Sequence, residues 1–349
     1  MDRCENYVWG GIDMKKIMKR ILLGLLGFIV VIIMGLFINN RIMAAKYSKV
    51  STEAANLSDA EIEAVNQVYT FLNDKGEEIF PGFNGKDIDL IIYNNSYEFL
   101  ICNNGNDNQW DNIGRNVELN KNIYRRNAIN PQAFAVYVDD RWVASMSTIN
   151  SFNKSFTKNT GYLFPPQIVM LDEQHYTGVV IHEMLHAFQG KNNDLRVTNT
   201  KSLDGICSNY YDDDKFNKLM IEEGYYLEHA INATNKETII EYAKGFINTR
   251  KKRRIECNMS KTEIENETDF EWLEGLARYA EYKSSTDSKS LVRKNMDKIE
   301  QKVKIKQDDR YYALGMAEAL VLDKLQKDWK DEVFDKNFSL EKKIEQLVK

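Results

Sequence analysis

The sequence predicts an α+β fold, with strands confined to the first half of the 349-residue chain and helices filling the second. Short β-rich runs end before residue 172, and from there the apolar residues recur with a helical period nearly to the C-terminus. Only four prolines occur in the whole chain, which favours a helix-rich fold over an all-β one. Because strands and helices do not alternate, we do not expect a parallel βαβ sheet.

Composition and length limit the domain organisation and the partners. About 300 residues follow the N-terminal segment, enough for one large domain or two packed lobes. We expect a linker over residues 39–57, an N-terminal α/β lobe over 58–190 and a helical C-terminal lobe over 191–349. The net charge is −5, from 47 basic and 52 acidic residues. A dominant basic face is therefore not expected, which argues against nucleic acid as the main partner.

An apolar segment near the N-terminus predicts a membrane anchor. Residues 21–38 contain no charged side chain and are long enough to cross a bilayer core. Four basic residues come directly before it: Lys15, Lys16, Lys19 and Arg20. This bias predicts a single-pass protein of the cell membrane, with residues 1–20 in the cytoplasm and the rest outside. The alternative is a cleaved signal peptide ending near Ala45, which would make the protein secreted.

The first element after the anchor is predicted by its capping pattern. Ser58 and Glu61 have the spacing of a capping box, with serine at the N-cap and glutamate three residues later. The apolar periodicity that follows predicts an amphipathic helix to about Asn73, closed by Gly76.

The strands of the first half are predicted from apolar runs between turn residues. Residues 87–93 read as a buried strand, and 97–102 as a second strand or a short helix. Residues 103–116 are rich in Asn, Gly and Asp and predict a loop. A β-hairpin with a two-residue turn is expected over 134–147, and a further short strand over 167–171.

The second half is predicted to be helical almost throughout. Helices are expected at about 173–190, 214–232, 236–256, 269–284, 290–304, 309–328 and 339–348. Residues 191–214 predict a surface loop between the halves, and the basic run at 251–254 predicts a solvated helix end. The cysteines lack CxxC spacing, so a zinc ribbon is not expected. A disulfide between Cys207 and Cys257 and free buried thiols both remain open.

Two of the four histidines lie in one five-residue segment. His182 and His186 are four residues apart, so on a helix their imidazoles lie on one face about 6 Å apart at Cβ. Two neutral imidazoles so placed can share one tetrahedral zinc ion. Glu183 is rotated by about 100° around the helix axis, so it is better placed to act on water as a general base than to ligate the same ion.

The rest of this helix favours the metal interpretation. Four apolar residues recur at helical spacing and predict a buried stripe: Ile181, Met184, Leu185 and Phe188. The polar trio falls off that stripe and would face a cleft. The alternative is two histidines on an exposed or mixed helix face with Glu183 solvated. The segment from Val179 onward is too apolar for an exposed helix, which argues against that alternative.

These residues carry a resemblance to a known family. The segment His182-Glu183-Met184-Leu185-His186 matches the motif of the zincin metallopeptidases. Residues 272–279 (WLEGLARY) resemble the E-G-x-A helix of the zincins whose third ligand is a glutamate, the gluzincin-like group. The resemblance implies a zincin-like fold with a mixed sheet, an active-site helix and a helical C-terminal half. It also implies a Zn²⁺ cofactor with Glu274 as third ligand, and a peptide or protein substrate.

The residues themselves give Glu274 a separate case. Two histidines and one glutamate with an open fourth position form a catalytic zinc arrangement. Gly275 and Ala277 are small and would let this helix approach the HExxH helix closely. Four other carboxylates remain alternatives: Glu222, Glu223, Glu228 and Glu281. Glu274 could instead form an i, i+4 salt bridge with Arg278.

A hydrogen-bond donor near the reacting carbonyl would complete the site. The candidates are tyrosines of the C-terminal half: Tyr279, Tyr282, Tyr311 and Tyr312. Similar peptidases recruit a Tyr or His from that half, and Tyr312 is the residue we select. Each of the four is equally explained as a packed aromatic.

The sequence thus predicts a zinc-dependent peptidase acting outside the cytoplasm, with Glu183 and Tyr312 as catalytic residues. The alternative is a surface binding or sensor protein that keeps a zincin fold without turnover. A protein without turnover has no need for a general base, so the presence of Glu183 favours an enzyme over a binding protein. A structural zinc site is disfavoured because no fourth protein ligand is evident.

Overall fold

The computed structural model describes residues 14–103, 109–129, 131–159, 173–200, 210–285, 294 and 296–349. The strand predicted at 167–171 and the cysteine at position 207 lie outside these residues. The helix predicted at 290–304 is described at residues 294 and 296–304, where the short helix Ile299–Lys302 is the only one whose bounds the structure describes, so the prediction of one continuous helix is wrong. Cys102 and Cys257 are free within the described part of the chain.

The described strands form one mixed six-stranded sheet in the first half of the chain. Its strands are β1 (Leu90–Tyr93), β2 (Tyr97–Cys102), β3 (Asp111–Asn116), β4 (Lys121–Asn127), β5 (Phe134–Val138) and β6 (Arg141–Ser147). Their order across the sheet is β3-β4-β2-β1-β6-β5. Strands β1 and β6 are parallel, and the other neighbours are antiparallel. The sheet therefore has β5 at one edge and β3 at the other.

The sequence predictions for β1, β2 and the hairpin of β5 and β6 are confirmed. Asp139 and Asp140 form the hairpin turn with φ of 53° and 59°, the left-handed values that a two-residue turn requires. The loop predicted over 103–116 is wrong for its second half, which forms β3. That strand is exposed along nearly all its length, and its pairing with β4 shifts between Asn112 and Gly114. Its sequence lacks the alternation of apolar and polar residues from which a strand is predicted, so the sequence analysis missed it.

Helices dominate the rest of the described chain. They are α1 (Met14–Ser48), α2 (Asp59–Ile79), α3 (Ile149–Asn159), α4 (Glu173–Asn192), α5 (Asp194–Asn199), α6 (Asp214–Asn232), α7 (Lys236–Glu256), α8 (Lys261–Phe270), α9 (Leu276–Ser284), α10 (Ile299–Lys302), α11 (Asp309–Leu325) and α12 (Leu340–Val348). A π-helical turn, Glu271–Gly275, joins α8 to α9, and a 3₁₀ turn, Trp329–Glu332, precedes α12. The helix predicted to begin at 269 thus begins at Lys261, where Ser260 caps it. Helix α5 lies within the predicted surface loop.

Helix α2 shows why a glycine need not end a helix. The predicted capping box is present, with the Ser58 N–H donating to Glu61 at 2.9 Å. The helix then continues past the predicted stop at Gly76 to Ile79. A Cβ on Gly76 would lie 1.9 Å from the carbonyl oxygen of Phe83. The glycine is there because the chain folds back against the helix, not to terminate it.

One apolar core joins the sheet to the C-terminal helices. It includes Leu72 of α2, Ile92 of β1, Leu185 of α4, Leu276 of α9 and Leu322 of α11, all fully buried or nearly so. Helix α4 packs against β5 and β6 on one side and against α2 and α9 on the others. The HExxH helix therefore lies at the centre of the molecule, between the sheet and the C-terminal helices.

Helix α1 is exposed over its apolar part. Its segment Met18–Ile38 has a mean hydropathy of 3.1 and no buried residue, so it could cross a membrane or serve as a signal sequence. The helix continues through part of the predicted linker to Ser48. Near its end, Tyr47 is buried, and α1 packs against α3 there.

The basic run at 251–254 is not a solvated helix end, and that prediction is wrong for its second half. Lys251 and Lys252 are exposed, but Arg253 is fully buried and Arg254 is half-buried. Arg253 forms ion pairs with carboxylates from neighbouring helices, which is why a guanidinium can occupy the interior.

Candidate metal centre

The structure brings His182, His186 and Glu274 together. The two Nε2 atoms lie 3.1 Å apart, and Glu274 Oε2 lies 3.3 Å from each. Metal–ligand bonds of about 2.0–2.1 Å at a tetrahedral angle place neighbouring ligand atoms about 3.3–3.4 Å apart. All three side chains are buried, and the group could hold a metal ion. The predicted ligand set therefore meets within a few tenths of an ångström of tetrahedral spacing.

Helix α4 presents the two histidines because its other faces are packed. Ile181, Met184 and Leu185 are completely buried, as the predicted stripe requires. The polar trio is itself nearly buried, at 7% exposure for His182, 8% for Glu183 and 1% for His186. The segment from Ile181 to Gln189 is thus enclosed nearly all round, and the polar trio lies within it.

The π-helical turn presents Glu274. Gly275, in the same turn, abuts α11: a Cβ on it would lie 2.5 Å from the Cα of Gly315. We expected Gly275 to permit close approach to the HExxH helix, and that expectation is wrong. Close approach to α4 occurs instead at Gly178, where a Cβ would lie 3.2 Å from the Cγ of Glu281. The neighbour of Gly178 is therefore α9.

The alternative carboxylates are engaged elsewhere or in a supporting position. Glu223 is fully buried and pairs with Arg250 and Arg253, and Glu228 accepts from a backbone N–H of α10. Glu222 is half-buried on the same helix as these two. Glu274 does not pair with Arg278 as the alternative supposed. Arg278 pairs with Glu281 at 2.8 Å.

A buried amide that the sequence analysis missed orients His186. Gln189, with no exposed surface, donates from Nε2 to the backbone carbonyls of Trp272 at 2.9 Å and Leu273 at 3.1 Å. Its Oε1 lies 2.9 Å from His186 Nδ1. Because carbonyl groups only accept, the amide nitrogen must face the backbone and the oxygen must face the imidazole. His186 therefore carries its proton on Nδ1, and Nε2 is left with a lone pair.

The other histidine is oriented by a carboxylate. His182 Nδ1 lies 3.5 Å from Glu281 Oε2, and Arg278 holds Glu281 from the far side. A carboxylate partner favours the proton on Nδ1, again leaving the lone pair on Nε2. Two imidazole lone pairs and the Glu274 carboxylate thus converge on one point. Such a convergence is unfavourable unless a cation lies at its centre.

The electrostatics of the centre agree with this need for a cation. Burial alone would lower the pKa of His182, but hydrogen bonds with Glu274 and Glu281 raise it to about 9. Burial would raise the pKa of Glu274, but the neighbouring imidazoles of His186 and His182 lower it far below its usual range. In the absence of a metal ion, a proton on His182 neutralises part of the converging negative charge.

Glu183 lies beside the three ligands with a free oxygen. Its Oε2 is buried and has no hydrogen-bond partner in the described part of the chain. Burial raises the pKa of Glu183, although the neighbouring imidazoles of His182 and His186 oppose that rise. A carboxylate with an unused oxygen and a raised pKa is suited to accept a proton.

Among the four candidate tyrosines, Tyr312 contacts the centre. Its ring stacks on His182 with centroids 6.0 Å apart, and its hydroxyl lies near the carboxylate of Glu274. Burial and the Glu274 charge raise its pKa far above the usual range, so the O–H stays protonated. Tyr279 and Tyr282 direct their hydroxyls to aspartates away from the centre. Tyr311 is fully buried beside Tyr312.

The edge strand of the sheet passes close to the centre. Phe134, the first residue of β5, has its ring 5.1 Å from the ring of His186. The first strand of the predicted hairpin therefore contacts one of the two histidines.

Comparison of the chain with protein-family models, with curated proteins and with solved structures gives no match. The site therefore carries the functional argument by its own chemistry. It defines a mixed α/β protein with a buried centre of two histidines and a glutamate that could hold a metal ion.

Proposed function

We propose that this protein is a zinc-dependent peptidase of the zincin type, with Glu274 as the third ligand. We also propose that α1 anchors it in the cell membrane and that the catalytic domain lies outside the cytoplasm. The observation that carries the enzymatic proposal is the convergence of three lone-pair donors beside Glu183. Imidazole and carboxylate ligands suit zinc, although the same set accepts other divalent ions.

The chemistry follows from the ligand set and its neighbours. A divalent ion held by His182, His186 and Glu274 would supply Lewis acidity to a substrate carbonyl and to water. Glu183 takes the proton of the attacking water on its free Oε2. It then returns that proton to the leaving amine nitrogen. Burial of Glu183 supports both steps, since a carboxylate with a raised pKa holds the proton long enough to pass it on.

We assign Tyr312 the role of hydrogen-bond donor at the same centre. Its hydroxyl remains protonated and already lies within reach of a ligand oxygen. A donor so placed can stabilise negative charge that develops on the carbonyl oxygen.

A polypeptide is the substrate that best fits the surroundings. Strand β5 is an edge strand, and its first residue contacts His186. An extended peptide could add to such an edge by main-chain hydrogen bonds, which would place a peptide bond beside the histidines. We propose this mode of binding for the substrate.

The proposal is tested with the full chain purified in detergent. Elemental analysis should give about one zinc ion per chain, and a peptide library should be cleaved by the wild-type protein. Glu183→Gln should keep the zinc and lose hydrolysis, because it removes the base and none of the ligands. Glu274→Ala should bind zinc more weakly, because it removes a ligand.

The outcomes separate the alternatives. Zinc retained with no cleavage by the wild-type protein would favour a binding or sensor protein. Cleavage by Glu183→Gln at the wild-type rate would exclude Glu183 as the base. Unchanged zinc affinity in Glu274→Ala would place the third ligand elsewhere.

A further inference from the structure

The end of the apolar helix is fixed to the domain, not joined through a free linker. Asn153 Nδ2 of α3 donates to the Tyr47 hydroxyl at 3.3 Å, and Lys154 Nζ of α3 donates to the carbonyl of Val50 at 3.0 Å. Tyr47 is buried in this contact. Helix α1 is continuous from its apolar segment to this point. The domain is therefore connected to that segment by an unbroken helix.

The chain beyond α1 is held on the sheet. The carbonyl of Thr52 accepts from the Asn95 N–H at 2.8 Å, and the carbonyl of Ala54 accepts from Asn94 Nδ2 at 2.8 Å. A second bond links Asn95 Nδ2 to Thr52 Oγ1 at 3.0 Å. These bonds join the segment after α1 to the turn between β1 and β2.

The same turn and the same helix line a cavity of about 320 Å³. Asn94 and Asn95 form part of its wall, and Phe152 and Ser155 of α3 form another part. The cavity therefore lies directly beside the attachment of α1. The lining residues that belong to the described part of the chain carry no charged side chain.

Two residues of the cavity wall link it to the helix of the metal centre. Ser147 lines it, and the carbonyl of Ser147 accepts from the Tyr176 hydroxyl of α4 at 2.8 Å. Tyr176 precedes Glu183 by two helical turns on the same face, a rise of about 10 Å. Tyr93 lines the cavity as well, and burial together with the Glu183 charge raises its pKa.

The height of the cavity above a membrane follows from the helix. Nine residues separate Ile38 from Tyr47, which at 1.5 Å each is about 14 Å. The polar headgroup layer takes up about 5–7 Å of that distance. The cavity therefore stands close above the headgroups, whereas a domain of about 300 residues extends roughly 50 Å from the surface.

We infer that the substrate is a polypeptide emerging from the same membrane, whose membrane-proximal side occupies this cavity. This inference rests on the proposed function and on α1 as a membrane span. The cavity lies about 14 Å above the hydrocarbon core and Glu183 about 10 Å further on, so the scissile bond would lie about seven extended residues from the bilayer, at about 3.4 Å per residue. The asparagine and serine side chains of the described walls would contact neutral side chains on the membrane-proximal side of that bond.

The test uses full-length protein in liposomes. One peptide that the library digest identifies is tethered to lipid through spacers of different length and is also supplied free. Wild-type protein should cleave best at one spacer length, about threefold faster than at spacers twice as long. A fourteen-residue helical insertion after Asn40 raises the domain by about 21 Å. The optimal spacer should then lengthen by about six residues.

A flexible Gly/Ser insertion of the same length is the matched control. It should broaden the spacer dependence without moving its optimum by a fixed amount. Cleavage of the free peptide should be equal in all three proteins, which shows that the domain is folded and active.

The results separate the two proposals. An optimum that the helical insertion does not move, or equal rates at every spacer, would overturn the membrane-proximal substrate while free-peptide cleavage upholds the enzyme. Recovery of an active mature chain without α1 in the soluble fraction would overturn it too. Failure to cleave the free peptide would instead count against the proposed function itself.

Discussion

Replacing Gln189 with leucine should weaken metal binding although Gln189 is not a ligand. The substitution removes the acceptor for His186 Nδ1–H, so the imidazole is free to turn or to change tautomer. It also removes the donor that holds the carbonyls of Trp272 and Leu273, just before Glu274. Loss of such an outer partner typically costs 10–100-fold in metal affinity, or about 1.4–2.7 kcal/mol.

A second substitution separates the two effects. Gln189→Glu keeps an acceptor for His186 but turns a carboxylate towards the two backbone carbonyls, where it has nothing to donate. If Gln189 acts only through the imidazole, this variant should bind the ion as well as wild type. We expect it to bind about tenfold more weakly, because the turn that carries Glu274 is displaced.

The assay is competition with a chromophoric chelator, together with the visible spectrum of the cobalt-substituted protein. The spectrum reports ligand geometry, which a loss of stability alone does not change. Asn192→Ala is the matched control, since this exposed amide of the same helix bonds only the backbone one turn earlier. A metal affinity of the Gln189→Leu variant within twofold of wild type would refute the argument.

Two further predictions concern charge. Arg250→Met should lower the free energy of unfolding by about 3–5 kcal/mol in chemical denaturation, because it leaves buried carboxylates unpaired. Lys251→Ala, which removes the neighbouring exposed ion pair, should lower it by under about 1 kcal/mol. The pKa of His182 is raised to about 9, so in metal-free protein this imidazole holds a proton below that pH. The stabilisation of the folded state that this proton brings is lost as the pH rises through 9. Metal binding at pH 7 should therefore release about one proton, and affinity should rise about tenfold per pH unit up to pH 9 and then level off. Calorimetry in buffers of different ionisation enthalpy measures that release, and its absence would contradict the assignment.

The central part of the site could be predicted because its signals are local. The spacing of His182, Glu183 and His186 fixes their relative positions once the segment is helical, and the apolar stripe guarantees the helix. Glu274 needed the resemblance of its surrounding sequence, since nothing local states which carboxylate reaches α4. The structure places it at the predicted position and leaves Glu223 and Glu228 elsewhere.

Other features could not be predicted because they depend on distant contacts. Gln189 was detectable only as a polar residue one turn beyond His186 on an otherwise apolar helix. The π turn has no sequence signature, and Gly275 meets Gly315 only after two helices have packed. Strand β3 owes its existence to pairing with β4, since its own side chains are exposed.

The buried ion pairs and the metal centre share one structural element, the π-helical turn. Glu271 lies in the same π turn as Glu274, and Arg250 grips it through both Nη atoms at 2.7 and 2.8 Å. Arg250 also bonds Glu223 and Glu318, so three helices fix this guanidinium. Such buried charges bring little net stability.

The buried ion pairs matter because they hold the π-helical turn in position. When an ion replaces the proton on His182, the contact between that proton and Glu274 is lost, so the backbone of the turn must keep the carboxylate in position. The π turn is held on one side by Arg250, on another by the carbonyl contacts of Gln189, and on a third by the backbone of Gly315. A turn fixed from three directions keeps Glu274 in place before the ion arrives, so binding energy is not lost in ordering the ligand. The buried arginines thus contribute to metal affinity through the rigidity of one turn.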